Sequence, residues 1–141
     1  MPEKNKVLFL CTGNSCRSQM AEGWARHLRS DDIEAWSAGI ETHGLNPCAV
    51  RVMAEAGVDI SGHVSQTTEA VQDIPFDVVV TVCGHANETC PTWLSGKARV
   101  IHAGFDDPPA LAKNAETEEE TLKHYRRVRD EIRDYIQELT V

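Results

Sequence analysis

The apolar run Val7-Leu8-Phe9-Leu10 stops at Cys11, and after five more residues, at Arg17, a helical pattern begins. The connector Thr12-Gly13-Asn14-Ser15-Cys16 allows only a tight passage from strand to helix. A passage of this kind can turn its backbone N–H groups inward and ring a tetrahedral anion at the positive end of the following helix. Gly13 admits the dihedrals that such a ring needs. Arg17 adds a planar fork of donors and a fixed positive charge. The field that attracts an anion also stabilises a thiolate, so Cys11 reads as a nucleophile at the base of the cradle. The candidate oxyanion-binding set is Thr12, Gly13, Asn14, Ser15, Cys16, Arg17 and Ser18. Ser18 is placed either to hydrogen-bond the Cys11 sulfur or simply to cap the helix. The Cys16 side chain is expected to pack beneath the loop.

Beyond the loop, apolar runs alternate with helical patterns, which is the signature of a parallel α/β sheet. Strands are predicted at residues 6–11, 34–37, 77–82 and 98–102, the third continuously apolar and therefore central. Helices are predicted at 17–29, at 47–56 with Asn46 as cap and Pro47 at its first position, and from the acidic run at Glu116 to about Leu139. A short helical turn is expected near 68–71. The fold class that fits is a flavodoxin-like three-layer sandwich, a four-stranded parallel sheet in order 2-1-3-4 with helices on both faces. In that order strands one and three are neighbours, about 4.8 Å apart. Cys11, Cys83 and the pair Asp106-Asp107 then fall on one carboxyl edge of the sheet, where ligands of such folds sit.

The 141 residues, 41% of them hydrophobic, suffice for one domain spanning 1–141. No stretch approaches the roughly 20 apolar residues of a membrane span. The N-terminal residues carry no apolar leader, and the expected location is cytoplasmic. A net charge of −8 excludes a nucleic-acid partner and requires that any oxyanion be captured locally by the loop. Five cysteines in such a chain do not suggest a structural disulfide framework. Cys11 with Cys16 and Cys83 with Cys90 lack the close spacing of zinc ligands. Redox catalysis is the remaining strong use for them.

The loop CTGNSCRS resembles the phosphate loop of low-molecular-weight protein tyrosine phosphatases, and more closely that of their relatives, the thioredoxin-coupled arsenate reductases. Gln19-Met20-Ala21-Glu22-Gly23-Trp24, the stretch from Ser37 to Gly44, Gly57-Val58-Asp59-Ile60-Ser61, Phe105-Asp106-Asp107-Pro108 and Arg127-Val128-Arg129-Asp130-Glu131-Ile132 extend the likeness along the whole chain. Cys83 and Cys90 distinguish the reductases from the phosphatases. The resemblance implies attack of Cys11 on arsenate, with Arg17 holding its oxygens and Asp107 as the acid; Asp106 is the runner-up and is expected to cap its loop. It further implies a Cys11–Cys83 disulfide, its exchange to Cys83–Cys90, and external thioredoxin as reductant. No resident cofactor is implied, and weak phosphate-ester hydrolysis is expected as a side activity.

The alternative within the family is a protein tyrosine phosphatase working through a phosphocysteine. Against it, the aromatic pair lining the phosphotyrosine pocket of those enzymes is missing after Asp107. A third reading is an oxyanion-binding or redox-sensing module without catalysis. Some reductases hold a monovalent cation through positions equivalent to Asn14, Glu22, Ser37 and an acid; Ser65-Gln66-Thr67 stands where that acid belongs, which argues against such a site here. Residues 84–89 carry a helical pattern. Seven helical residues span roughly 10 Å, and a disulfide needs Cα atoms within about 7 Å, so joining Cys83 to Cys90 requires that segment to unwind.

Overall fold

In the computed structural model of the chain, residues 4–83 and 98–141 are described. The helical pattern expected at 84–89, together with Cys90, lies outside them. The described strands are β1 (Asn5–Cys11), β2 (Ile33–Gly39), β3 (Val78–Thr81) and β4 (Arg99–His102). They form one parallel sheet in the order β2-β1-β3-β4, the flavodoxin-like order expected from the sequence. Val7, Leu8, Phe9 and Leu10 are fully buried because β1 is paired on both edges, with Ala35 opposite Val7 on one side and Val78 on the other. A strand enclosed in this way reads as continuously apolar rather than alternating.

Helix α1 (Arg17–Leu28) leaves the anion loop and packs between the sheet and the last helix. Its residues Ser18 to Ala25 are all buried. Helix α2 (Pro47–Glu55) begins as read, with the Asn46 carboxamide accepting from the N–H groups of Cys48 and Ala49 at 2.8 and 3.2 Å. Gly57, at φ +86°, turns the chain after it. The turn at Thr68–Val71 is a single 3₁₀ turn. Helix α3 (Pro108–Leu111) was not foreseen; its two prolines occupy opening positions where a missing N–H costs nothing. Helix α4 (Glu118–Glu138) starts two residues later than expected, since Thr117 is its cap. The Thr117 hydroxyl accepts from Glu120 N, and the Glu120 carboxylate reaches back to Glu116 N, a variant of the reciprocal capping box. Leu122, Tyr125, Val128, Ile132 and Ile136 form its buried stripe, at the three- and four-residue spacing of one helical face.

β2 is longer than predicted at both ends. Ile33 is buried opposite Asn5, and Ala38 and Gly39 continue the pairing as far as Leu10 and Cys11. The extension carries the following segment alongside the anion loop. None of the helices described is long and apolar enough to cross a membrane.

Arg29 closes the bottom of the fold. Its guanidinium grips Asp32 through two nitrogens at 3.0 and 2.6 Å and donates from Nη1 to the carbonyls of Ile136 and Leu139, both at 2.9 Å. Neither carbonyl has an i+4 partner at the end of α4; that of Ile136 also accepts from Leu139 N at 3.3 Å. Arg29→Lys cannot reproduce the fork, and a loss of about 1–3 kcal/mol is expected in urea unfolding. An unchanged midpoint would show that solvent serves those carbonyls equally well.

Candidate active site

The anion loop is held from outside by a second segment. After β2 the chain runs beside it, and four N–H groups donate to loop carbonyls: Ile40 to Cys11 at 3.2 Å, Glu41 to Thr12, His43 to Gly13 and Asn46 to Ser15, each of the last three at 2.9 Å. The carbonyl of Asn14 accepts from the Gln19 carboxamide at 3.1 Å. With the carbonyls drawn outward, no backbone N–H from Thr12 to Cys16 has a protein partner among the described residues. A cluster of uncommitted amides at the start of α1 is an oxyanion cradle in the making.

Two glycines permit this approach. A Cβ on Gly39 would lie 2.4 Å from the Glu41 carbonyl and 2.8 Å from the Asn14 nitrogen. A Cβ on Gly13 would lie 2.2 Å from Nδ1 of His43. Gly13 thus gives room to the His43 ring, and the dihedral freedom expected of it is not used, since its φ is not positive. The left-handed position of the loop falls instead to Asn14, at φ +47°. Asn14 is fully buried, donates to Ser18 Oγ at 2.9 Å and accepts from Gln66 N and Gln19 Nε2 at 2.8 and 3.1 Å. Asn is among the few non-glycine residues that tolerate this conformation.

Ser18 is accordingly engaged by Asn14, and among the described residues no hydrogen bond joins it to Cys11. Nor does it cap α1, whose cap position is Cys16. Cys16 is 3% exposed, and burial, followed by the neighbouring Cys11, pushes its thiol well above the ordinary range. It packs under the loop as a neutral thiol. Among the described residues Cys11, Cys16 and Cys48 are free thiols.

Arg17 donates from Nη1 to the Phe105 carbonyl at 2.9 Å and lies 3.7 Å from the Asp107 carboxylate. Asp107 precedes α3 without capping it. Asp106, expected to cap its loop, instead pairs with Arg127 on α4 at 3.0 Å, a long cationic side chain that competes for its carboxylate. A cavity of about 310 Å³ joins Cys11, the loop, Arg17, Asp107 and His43.

The Thr12 hydroxyl and the Cys83 sulfur are 3.2 Å apart in a hydrogen bond in which either can donate. Parallel pairing of β1 with β3 explains this proximity, since Leu10 lies opposite Thr81 and both strands end on the same edge. Sequence reading brought Cys83 to that edge but missed the Thr12 contact, which depends on side-chain direction.

Beneath the loop, Glu22, Ser37 and Gln66, positions that the family resemblance groups, are joined by Arg26 and His63, which sequence reading missed. Glu22, 6% exposed, accepts from Ser37 Oγ at 2.7 Å and pairs with Arg26 at 3.0 Å and with His63 at 3.5 Å. His63 meets Gln19, and the Gln66 carboxamide donates to the Ser37 carbonyl at 3.0 Å.

Comparison with known proteins follows the same lines. Residues 6–140 match the family model described as low molecular weight phosphotyrosine protein phosphatase. The chain is 54% identical over 129 residues to an arsenate reductase of Halalkalibacterium halodurans, covering 92% of this chain and 90% of that one. It is 49% identical over 136 residues to an arsenate reductase of Bacillus subtilis, with 96% and 95% covered. A solved arsenate reductase in a phosphate-binding state superposes with a TM-score of 0.76 at 33% identity, over 94% of both chains.

Asn14 is the residue on which the loop's shape turns. Asn14→Ala places an alanine at positive φ and strips Gln66 N and the Gln19 amide of an acceptor. A destabilisation of about 2–4 kcal/mol is expected in denaturant unfolding, with weakened inorganic phosphate binding by calorimetry. A variant that keeps both stability and phosphate affinity would show that the segment at residues 40–46 suffices to hold the loop.

Proposed function

The chain belongs to the low molecular weight phosphotyrosine protein phosphatase family, and we propose that it works there as an arsenate reductase. One observation carries the choice of reduction over hydrolysis: a second thiol, Cys83, stands at the rim of the cradle, hydrogen-bonded to a cradle residue. Hydrolysis has no use for it.

In the proposed reaction arsenate enters the cradle, where the loop amides and Arg17 hold its oxygens and offset the charge that builds on them. The Cys11 thiolate attacks arsenic, and the departing oxygen leaves as water after taking a proton from Asp107. The product is a Cys11–arsenic(V) thioester. The Cys83 thiolate then attacks the Cys11 sulfur. The S–S bond forms as the S–As bond breaks, and arsenic leaves with the electron pair as arsenite. Two thiols are oxidised and arsenic is reduced by two electrons. Cys90 then displaces Cys11 from Cys83 by thiol–disulfide exchange, and thioredoxin reduces the Cys83–Cys90 bond.

The network under the loop supports working without a resident cation. Gln66 presents a donating amide, and Glu22 already faces Arg26 and His63. Arg26 supplies the countercharge to Glu22, while burial lowers the His63 pKa and favours its neutral ring, an arrangement that suits a paired carboxylate rather than a metal ligand set. Weak phosphate-ester hydrolysis by Cys11, Arg17 and Asp107 is part of the reading, because the cradle recognises a tetrahedral oxyanion rather than its central atom.

Cysteine substitutions test the scheme. Cys11→Ser is expected to abolish both arsenate reduction and phosphate-ester hydrolysis, since a hydroxyl stays protonated where a thiol ionises. Cys83→Ser and Cys90→Ser are expected to stop thioredoxin-coupled NADPH oxidation while sparing ester hydrolysis. Cys90→Ser should trap Cys11–Cys83 after one equivalent of arsenate, visible by peptide mapping. Parent-rate reduction by Cys83→Ser would defeat the relay.

The Thr12 hydroxyl gives a finer test. Thr12→Val removes one hydrogen-bond partner of Cys83 while conserving volume. Single-turnover arsenite release is expected to slow about tenfold, the order of one hydrogen bond of about 1.4 kcal/mol, with Thr12→Ser restoring it. If Val and Ser variants release arsenite at the same rate, Cys83 needs no help from Thr12.

A further inference from the structure

His43 stands at the cavity with no part in the scheme above. Its backbone N–H belongs to the set holding the loop, donating to the Gly13 carbonyl at 2.9 Å. Its ring lies so close over Gly13 that a Cβ there would collide with Nδ1, Cγ and Cε1 at 2.2, 2.6 and 2.9 Å. The other ring nitrogen, Nε2, meets the Glu41 carboxylate at 3.1 Å. Nδ1, on the side of the loop, has no hydrogen-bond partner among the described residues. The ring therefore lines the cavity that also holds Cys11, Arg17 and Asp107.

We propose that His43 is an anion-selecting wall of the cradle, donating from Nδ1–H to an oxyanion oxygen that projects beyond the loop amides, with Glu41 orienting the ring. This inference rests on reading the loop as an oxyanion cradle and goes beyond it by naming the outer recognition group. The tautomer logic follows from the partners. A carboxylate on Nε2 demands N–H there. A neutral ring would then present a lone pair from Nδ1 to the anion, whereas an imidazolium presents a second donor. Anion binding and protonation of His43 are therefore linked, each favouring the other. The charged and titratable groups facing the ring are Glu41 on its own segment, Cys11 and Cys16 in the loop, Arg17 at the start of α1, and Asp107 ahead of α3. Asp107 lies against Arg17, and Glu41 against His43 itself, so in the imidazolium form both carboxylates at the rim face a cation.

His43 and Glu41 are both more than half exposed, so their substitution leaves the core untouched and the effect sought is moderate. Inorganic sulfate is the probe, because it keeps its charge through the range in which histidine titrates and takes no part in redox chemistry. Sulfate affinity would be measured by calorimetry on reduced protein at pH 6 and pH 8, for the parent, His43→Gln and Glu41→Gln. His43→Gln is expected to bind sulfate about three- to tenfold more weakly than the parent at pH 6, and the gap to close at pH 8. Glu41→Gln is expected to shrink the parent's gain between pH 8 and pH 6. Equal sulfate affinity of parent and His43→Gln at pH 6 would overturn the assignment while leaving the cradle in place. A parent that binds no sulfate at either pH, while Arg17→Ala behaves identically, would overturn the cradle and this inference together.

Discussion

Four hydrogen bonds from residues 40–46 to the carbonyls of Cys11, Thr12, Gly13 and Ser15 are the constraint on which the site depends. A peptide unit points its N–H opposite to its C=O, so fixing carbonyls outward leaves the amides to converge inward. The bonds come from a segment that follows β2, and β2 is fixed in register against β1 through seven residue pairs ending at Cys11 and Gly39. The sheet therefore does more than carry the loop at its edge. By running β2 to Gly39 it delivers a second backbone to the loop at hydrogen-bonding distance; Gly39 removes the side chain that would keep these backbones apart, and Gly13 leaves room for the His43 ring. The resulting donors are expensive to leave unpaired when shielded from water, which is why such an arrangement is tuned to an anion.

Charge follows the same local logic. The chain carries −8 overall, so its far field does not draw anions in. Within the site the loop amides and Arg17 reverse that sign over a few ångströms. Arg17 is already held, by the Phe105 carbonyl and by Asp107, which limits the side-chain freedom lost when an oxyanion arrives. Under the loop, Glu22 is the one acidic side chain among the buried described residues, and it is met by Ser37, Arg26 and His63.

The sequence made some of this legible and not the rest, for identifiable reasons. The strand order, the apolar β1 and β3, the Asn46 cap and the 3₁₀ turn at Thr68–Val71 were readable because each is dictated by local pattern or by a short connection. The placement of Cys11, Cys83 and Asp107 on one edge followed from the strand order alone. The role of residues 40–46 was not readable, since hydrogen bonds between two irregular segments leave no periodicity. Asp106 was misread because its partner, Arg127, is 21 residues away on α4. The two roles read for Ser18, donor to the Cys11 sulfur or cap of α1, missed a third, acceptor of the Asn14 amide, which no sequence pattern marks.

Thr12 ties these observations to the proposed chemistry. Its carbonyl is bound outward by Glu41 N, its N–H remains with the cradle, and its hydroxyl reaches Cys83. One residue thus touches the holding segment, the anion site and the second thiol. In a relay the second thiol must stay back while the first attacks and then advance onto the first sulfur. A hydroxyl is suited to both stages, because it can donate to a thiolate or accept from a thiol by rotating a single bond. A valine in that slot would fill the same volume and offer neither. On the proposed relay, the identity of the residue at position 12 is therefore a chemical choice rather than a packing one.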